Sequence, residues 1–228
     1  MTPERDEFYC GYWPAAPEGY ARFVRRGVAL MAAVVLGLGV LLTVTQEKAG
    51  PGIFEYGVTR EMVGQIRELP YPVLFVPRPG ITDRAVAYTR YLLVMPGKHG
   101  AQAAVAGRDG EWVSANGSVI ASEGLTMFEL AVGGLHRQEI PGEPRGLPTP
   151  PVVALGRFTL TGEVVDSKCY LGVMKPATRT VHRGCAARCL SDGAPPLLLL
   201  RDSAGPAAHL LLVGAAGEPV NRKFKQYV

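Results

Sequence analysis

The sequence predicts a mainly β fold behind a single N-terminal membrane helix, and three observations predict it. Gly27–Thr45 (GVALMAAVVLGLGVLLTVT) is an uncharged apolar run. The rest of the chain is broken at short intervals by glycine and proline, 28 and 19 of its 228 residues, a punctuation that suits strands and turns better than long helices. Between the breaks lie short alternating stretches of strand character. The expected architecture is the helix followed by two small OB-like or SH3-like β modules, the second with a short helix bearing cysteine and histidine.

Composition narrows the function classes. With 47% hydrophobic and 19% charged residues, the chain is too apolar and too weakly charged to be disordered. The apolar residues are also too dispersed for several membrane spans. The net charge is +4, but no Lys/Arg run or nucleic-acid motif accompanies it, so a nucleic acid is not an expected partner.

Residues 1–26 form a tail containing FYCGYWP, in which Phe8, Tyr9, Tyr12 and Trp13 read as an interfacial aromatic patch or as a docking peptide for a membrane partner. The 19 residues 27–45, at ~1.5 Å each, span about 28 Å, close to a bilayer core of ~30 Å. They are longer than a usual signal-peptide core and no small-x-small cleavage site follows them, so they read as an uncleaved transmembrane anchor in the lipid bilayer. Arg22, Arg25 and Arg26 crowd the N-terminal flank, whereas only Lys48 precedes Arg60 on the other. This places the tail in the cytoplasm and the remainder outside it. With no eukaryotic targeting motif, the expected setting is a bacterial inner membrane with residues 46–228 in the periplasm.

Residues 46–57 are a Gly/Pro linker. In 58–140, the first β module, strands are predicted at Val63–Leu69, Val73–Val76, Arg90–Met95, Glu111–Val119 and Thr126–Val132, with one short helix over Thr82–Thr89. PGEPRGLPTPP at 141–151 is a stiff linker. Residues 152–228 are the second module. Its first strand is predicted to run through Val165, Cys169, Leu171 and Val173 on one face, with Asp166, Lys168 and Tyr170 on the other. A helix is predicted over Thr180–Ser191, stopped by Asp192-Gly193, and then a pair of buried strands, Leu197–Leu200 and His209–Val213. Val63-Gly64-Gln65-Ile66 is weakly echoed by Thr161-Gly162-Glu163-Val164.

Chemistry concentrates in the second module. Of four cysteines, Cys10 lies in the tail, and the others are spaced C-x15-C-x3-C with His182 in H-x2-C. In a helix His182, Cys185 and Cys189 share one face, and a helix packed on the preceding strand brings Cys169 to them. Four readings stay open. Cys169, His182, Cys185 and Cys189 suit zinc or Cu(I), with Met174 or Met127 as a further soft donor or as core filler. Cys169 can instead pair with Cys185 or Cys189 in a structural disulfide. Cys185 and Cys189 can form a redox pair, activated by Arg183 or Arg188. Or the residues are simply core.

GEVVDSKCYLGVM followed by HRGCAARCLSDGAPP resembles a motif of uncharacterised membrane-anchored, exported bacterial proteins, and FYCGYWP ahead of the anchor is similar to the tail of that group. The resemblance covers about 35 residues and the tail. It implies that Asp166, Cys169, His182, Cys185 and Cys189 act as a unit, and it carries no activity with it.

There is no C-x-x-C-H, H-E-x-x-H, P-loop or G-x-S-x-G motif. His99, His136 and His209 read as surface or turn residues, and no paired carboxylates suggest acid–base catalysis. The expectation is an accessory or assembly protein of a membrane redox system, partnered by a membrane complex and holding copper or zinc. The alternatives are a non-catalytic scaffold stapled by a disulfide, and a thiol–disulfide oxidoreductase or copper chaperone.

Overall fold

A computed structural model describes residues 16–46, 52–81, 87–122, 124–140, 153–202 and 205–228. The aromatic tail (Phe8, Tyr9, Tyr12, Trp13), the linker 141–151 and most of the helix predicted at Thr82–Thr89 lie outside the described residues. Residues 1–48 and 49–228 form two compact units.

In the first unit a single helix, α1 (Glu18–Thr45), is long and apolar enough to cross a membrane. It starts nine residues before the predicted anchor. The arginines at 22, 25 and 26 end the apolar run toward the N-terminus, but they are good helix formers, and the first residue that halts the helix is Pro17.

The second unit is built on a barrel. Its strands are β1 (Ile53–Phe54), β2 (Arg60–Arg67), β3 (Val73–Pro77), β4 (Tyr88–Met95), β5 (His99–Gly100), β6 (Trp112–Ser122) and β7 (Leu125–Arg137), with a short helix, α2 (Gln102–Val105), between β5 and β6. β2 pairs with β3 and β3 with β4; β4 pairs in parallel with β7, β7 with β6, and β6 returns to β2. Five strands thus close a circuit with one parallel contact, an OB-like barrel in which no barrel strand is left as a bare edge. β1 falls in the expected linker yet pairs with β6, so Ile53 and Phe54 of that stretch belong to the barrel wall. Tyr88 and Thr89, assigned to a helix by the sequence, open β4 instead, where they pair with Pro77 and Val76.

Alternation decides which residues fill the barrel. Ile66, Leu74, Leu93, Val113, Ala115, Phe128 and Leu130 form its interior, and Ala101 and Val105 around α2 pack into the same core. The outer face is not left to water. Leu92, Val94, Ile120 and Met127 pack with Tyr71 and with Leu171, from the C-terminal part of the chain. Leu92-Leu93-Val94 are consequently buried in succession, the mark of a strand covered on both faces. Met127, considered as a soft ligand, is core.

The C-terminal part has an open antiparallel sheet in the order β10-β9-β8, made of β8 (Glu163–Asp166), β9 (Pro196–Asp202) and β10 (Gly205–Leu211), with helices α3 (Arg183–Ser191) and α4 (Asn221–Phe224). The second part of the expected layout is therefore a three-stranded sheet rather than a second barrel. It packs with the barrel in one compact unit, because the barrel's outer apolar face needs a cover. In the echo noted above, Gly64 and Gly162 play equivalent parts: a Cβ would come within 2.4 Å of the Phe75 carbonyl oxygen and 2.5 Å of that of Leu199.

Tyr71 ties the two parts together. Its fully buried hydroxyl donates to the Leu212 carbonyl at 2.9 Å and accepts the Val220 N–H at 3.0 Å. Burial raises its pKa above the usual phenol range. Tyr71→Phe leaves both backbone groups without their partner, which costs ~1–3 kcal/mol. The expected result is one unfolding transition, at lower temperature, seen alike by probes on the barrel and on the C-terminal sheet. An unchanged melting temperature would remove this role from the hydroxyl.

Candidate metal centre

The strand predicted to run through Cys169 ends at Asp166. The Asp166 carboxylate Oδ1 accepts the N–H of Cys169, three residues on, at 2.9 Å. That bond starts a helical turn, and the chain coils through a short π-type turn, Cys169–Val173. Asp166, Lys168 and Cys169, expected on opposite faces of one strand, are therefore all buried. Leu171 faces the barrel while Cys169 faces α3, packed with Cys189 and Ala194.

Helix α3 begins at Arg183, three residues later than predicted, and ends where predicted. Gly193, at φ +104°, takes the left-handed conformation that terminates helices. The Gly193 N–H bonds the Leu190 carbonyl at 3.3 Å, and the Ala194 N–H bonds that of Cys189 at 3.0 Å. This pair of bonds fixes the last turn and the backbone of Cys189. The barrel grips the same turn. The Gly100 N–H reaches the Asp192 carbonyl at 2.8 Å, Gln102 donates to the Gly193 carbonyl at 2.8 Å, and His99 pairs with the Asp192 carboxylate.

Three sulfur atoms converge here. Cys169 Sγ lies 3.8 Å from Cys185 Sγ and 4.0 Å from Cys189 Sγ. All three lie within 4.8 Å of one another, a group that can hold a metal ion. The three thiols are free, and neither distance is that of a disulfide, whose sulfurs are about 2.05 Å apart. Cys169 and Cys189 are buried, whereas Cys185 is half-buried at the mouth.

The neighbouring cation is one the sequence did not single out. Lys98, in the β4–β5 turn of the barrel, hydrogen-bonds Cys185 Sγ through its ammonium. That bond raises the lysine's pKa. The hydrogen bond between Cys169 and Cys189 holds the Cys169 thiol well above the usual thiol range, with burial and the Asp166 carboxylate adding to the shift. The same bond lowers Cys189, helped by the charge on Lys98. Arg183 and Arg188, expected to activate these thiols, are not the source. Arg188 lies 3.7 Å from the Asp192 carboxylate.

His182 stands at the N-cap of α3, with helical backbone and its carbonyl accepting the Ala186 N–H at 3.0 Å. Its Nε2 meets Asp166 Oδ2 at 3.0 Å, with both side chains buried. Asp166, Cys169 and His182 form a second group within 4.8 Å that can hold a metal. The structure thus brings together all of Cys169, His182, Cys185 and Cys189, but as two groups sharing Cys169, with Asp166 in the second.

Lys168 builds the mouth from behind. Its side chain is 2% exposed, yet it is satisfied: Nζ donates to the Met95 and Gly97 carbonyls at 2.7 Å each and pairs with the Glu129 carboxylate. These bonds hold the turn that carries Lys98. Ser167 Oγ, next to it, is buried without a hydrogen-bond partner. Of the other candidates, Met174 is exposed and the His209 ring packs tilted against that of Tyr170. Compared with known proteins, the chain matches no family model, no curated protein and no solved structure.

Proposed function

We propose that this is a single-pass, membrane-anchored protein whose outer unit binds a soft metal ion, copper or zinc, as an accessory or assembly protein of a membrane redox system. One observation carries the reading: three cysteine sulfurs converge at 3.8 and 4.0 Å around one point. Tetrahedral geometry at a metal–sulfur bond of ~2.3 Å sets sulfurs about 3.8 Å apart. Thiolates select copper(I), zinc or iron–sulfur centres over hard cations. The apolar helix ahead of this unit, with its arginine-rich start, supports an anchor whose N-terminus is cytoplasmic and whose metal unit is periplasmic. Soft ligands held beside a membrane are what a factor supplying or maintaining a membrane redox complex requires.

The test is elemental analysis with thiol counting on the full chain, purified reduced in mild detergent. The expected result is about one copper or zinc per chain, lost in Cys185→Ser and in Cys189→Ser. A metal-free protein with all four thiols, Cys10 included, open to reagent would sink the reading.

A second reading has its own support. Lys98 sits on the half-buried Cys185, and Cys189 is lowered below the usual thiol range by its hydrogen bond with Cys169 and the charge of Lys98. Such a cationic setting suits a thiol–disulfide exchanger. Reversible two-electron oxidation of a metal-free chain, lost in Cys185→Ser, would favour this reading over the first.

A further inference from the structure

Ligand count and charge go further than the metal reading on which they rest. We propose that the centre takes copper(I) as a trigonal complex of Cys169, Cys185 and Cys189, with Lys98 as its built-in counter-cation.

Distance alone does not choose between the metals. At ~2.3 Å per bond, a trigonal plane spaces sulfurs about 4.0 Å apart and a tetrahedron about 3.8 Å, and the distances from Cys169 to Cys189 and Cys185 are 4.0 and 3.8 Å. The donor set does choose. Among the described residues, no fourth His, Cys, Asp or Glu joins the three sulfurs. The nearest imidazole, His182, has its Nε2 committed to Asp166 at 3.0 Å. A structural zinc site is almost always closed by four protein ligands. Three thiolates complete a monovalent soft ion without a fourth, and thiolate is the donor that copper(I) prefers.

The position of Lys98 fits the same ion. Three thiolates around Zn²⁺ carry one net negative charge, and around Cu⁺ they carry two. The ammonium of Lys98 lies on Cys185, the sulfur nearest to solvent. It offsets one of those charges through a charge-assisted hydrogen bond. Its place is fixed by the Lys168 bonds to Met95 and Gly97 on the same turn.

The experiment uses the full chain in detergent, carrying Cys10→Ser to remove the tail thiol, under reducing, oxygen-free conditions. Copper(I) is titrated against bicinchoninate and zinc against a chromophoric zinc chelator, and the loaded sample is examined by X-ray absorption at the metal edge. The expected result is one copper(I) per chain in a shell of three sulfurs with no nitrogen or oxygen. Lys98→Met weakens copper(I) by about tenfold, the order of one charge-assisted hydrogen bond at a half-exposed site, and Lys98→Arg restores most of it. Tight zinc in a shell of three sulfurs plus nitrogen or oxygen, with copper(I) no tighter, overturns the copper assignment and leaves the metal reading standing. A Lys98→Met protein with wild-type copper(I) affinity overturns the counter-cation. Binding of neither metal overturns this inference together with the reading beneath it.

Discussion

Replacing Lys168 with methionine is expected to destabilise the unit 49–228 by about 3–5 kcal/mol, the usual cost of removing one partner from a buried ion pair. Methionine fills the space of the lysine stem but brings no charge and no donors. The Glu129 carboxylate, 14% exposed, then faces an apolar neighbour, and the Met95 and Gly97 carbonyls lose their donor. Removing both charges costs less, because no uncompensated ion remains buried. Lys168→Met/Glu129→Met is therefore expected to recover more than half of the loss. Urea unfolding of the metal-free chain checks both. A single variant within ~0.5 kcal/mol of the parent, the range of ordinary surface substitutions, would show that Lys168 does not hold the turn. The metal site should register the change too: with the turn at 95–98 released, Lys98 no longer has a fixed place over Cys185.

That prediction comes from a residue whose role the sequence conceals. Strand positions in the barrel were legible: Val73–Val76 became Val73–Pro77 and Arg90–Met95 became Tyr88–Met95. Local alternation and Gly/Pro breaks are set by the same backbone constraints that end strands. Cys185 and Cys189 were legible for a similar reason, four residues apart on one helix whose stop signal at Gly193 is also local. Alternation failed at Asp166. An aspartate in a strand-like run reads as an outward residue, yet here it accepts the Cys169 N–H, turns the chain and buries both neighbours. His182 stands at the N-cap of α3, and the carboxylate that meets its Nε2, Asp166, lies 16 residues before it, beyond the reach of local spacing. Lys98 and Glu129 reach the site from the barrel, 87 and 37 residues before Cys185 and Asp166, a separation at which spacing carries no information. How the two expected modules pack together was hidden for a related reason. Proline marks a boundary in the chain, but it says nothing of the apolar outer face of Leu92, Val94, Ile120 and Met127, which has to be covered.

The largest functional effect is expected at Cys169. It is the residue common to both candidate groups, it is 3% exposed, and it is the only one of the three cysteines that α3 does not supply. Serine in its place keeps a small hydroxyl that can still donate to Cys189, so the metal-free fold is expected to lose no more than about 1 kcal/mol. The oxygen is a poor ligand for a soft ion. Four-ligand zinc sites bind with roughly 10–16 kcal/mol, about 3 kcal/mol per ligand, so Cys169→Ser is expected to weaken metal binding on the order of 10²-fold or more. The melting temperature makes the distinction without any assay of function. An ion that binds only the folded chain adds ~2.7 kcal/mol of stability at a hundred times its dissociation constant. Metal should therefore raise the melting temperature of the parent and leave that of Cys169→Ser unmoved. Asp166→Asn tests the second group, since it keeps the shape beside His182 while removing the carboxylate charge. Loss of a supporting hydrogen-bond partner typically costs 10–100-fold in metal affinity, so this variant should fall between parent and Cys169→Ser. If Cys169→Ser kept the metal-dependent shift while Cys185→Ser lost it, the ion would sit on α3 alone, and the turn begun by Asp166 would serve the fold rather than the metal.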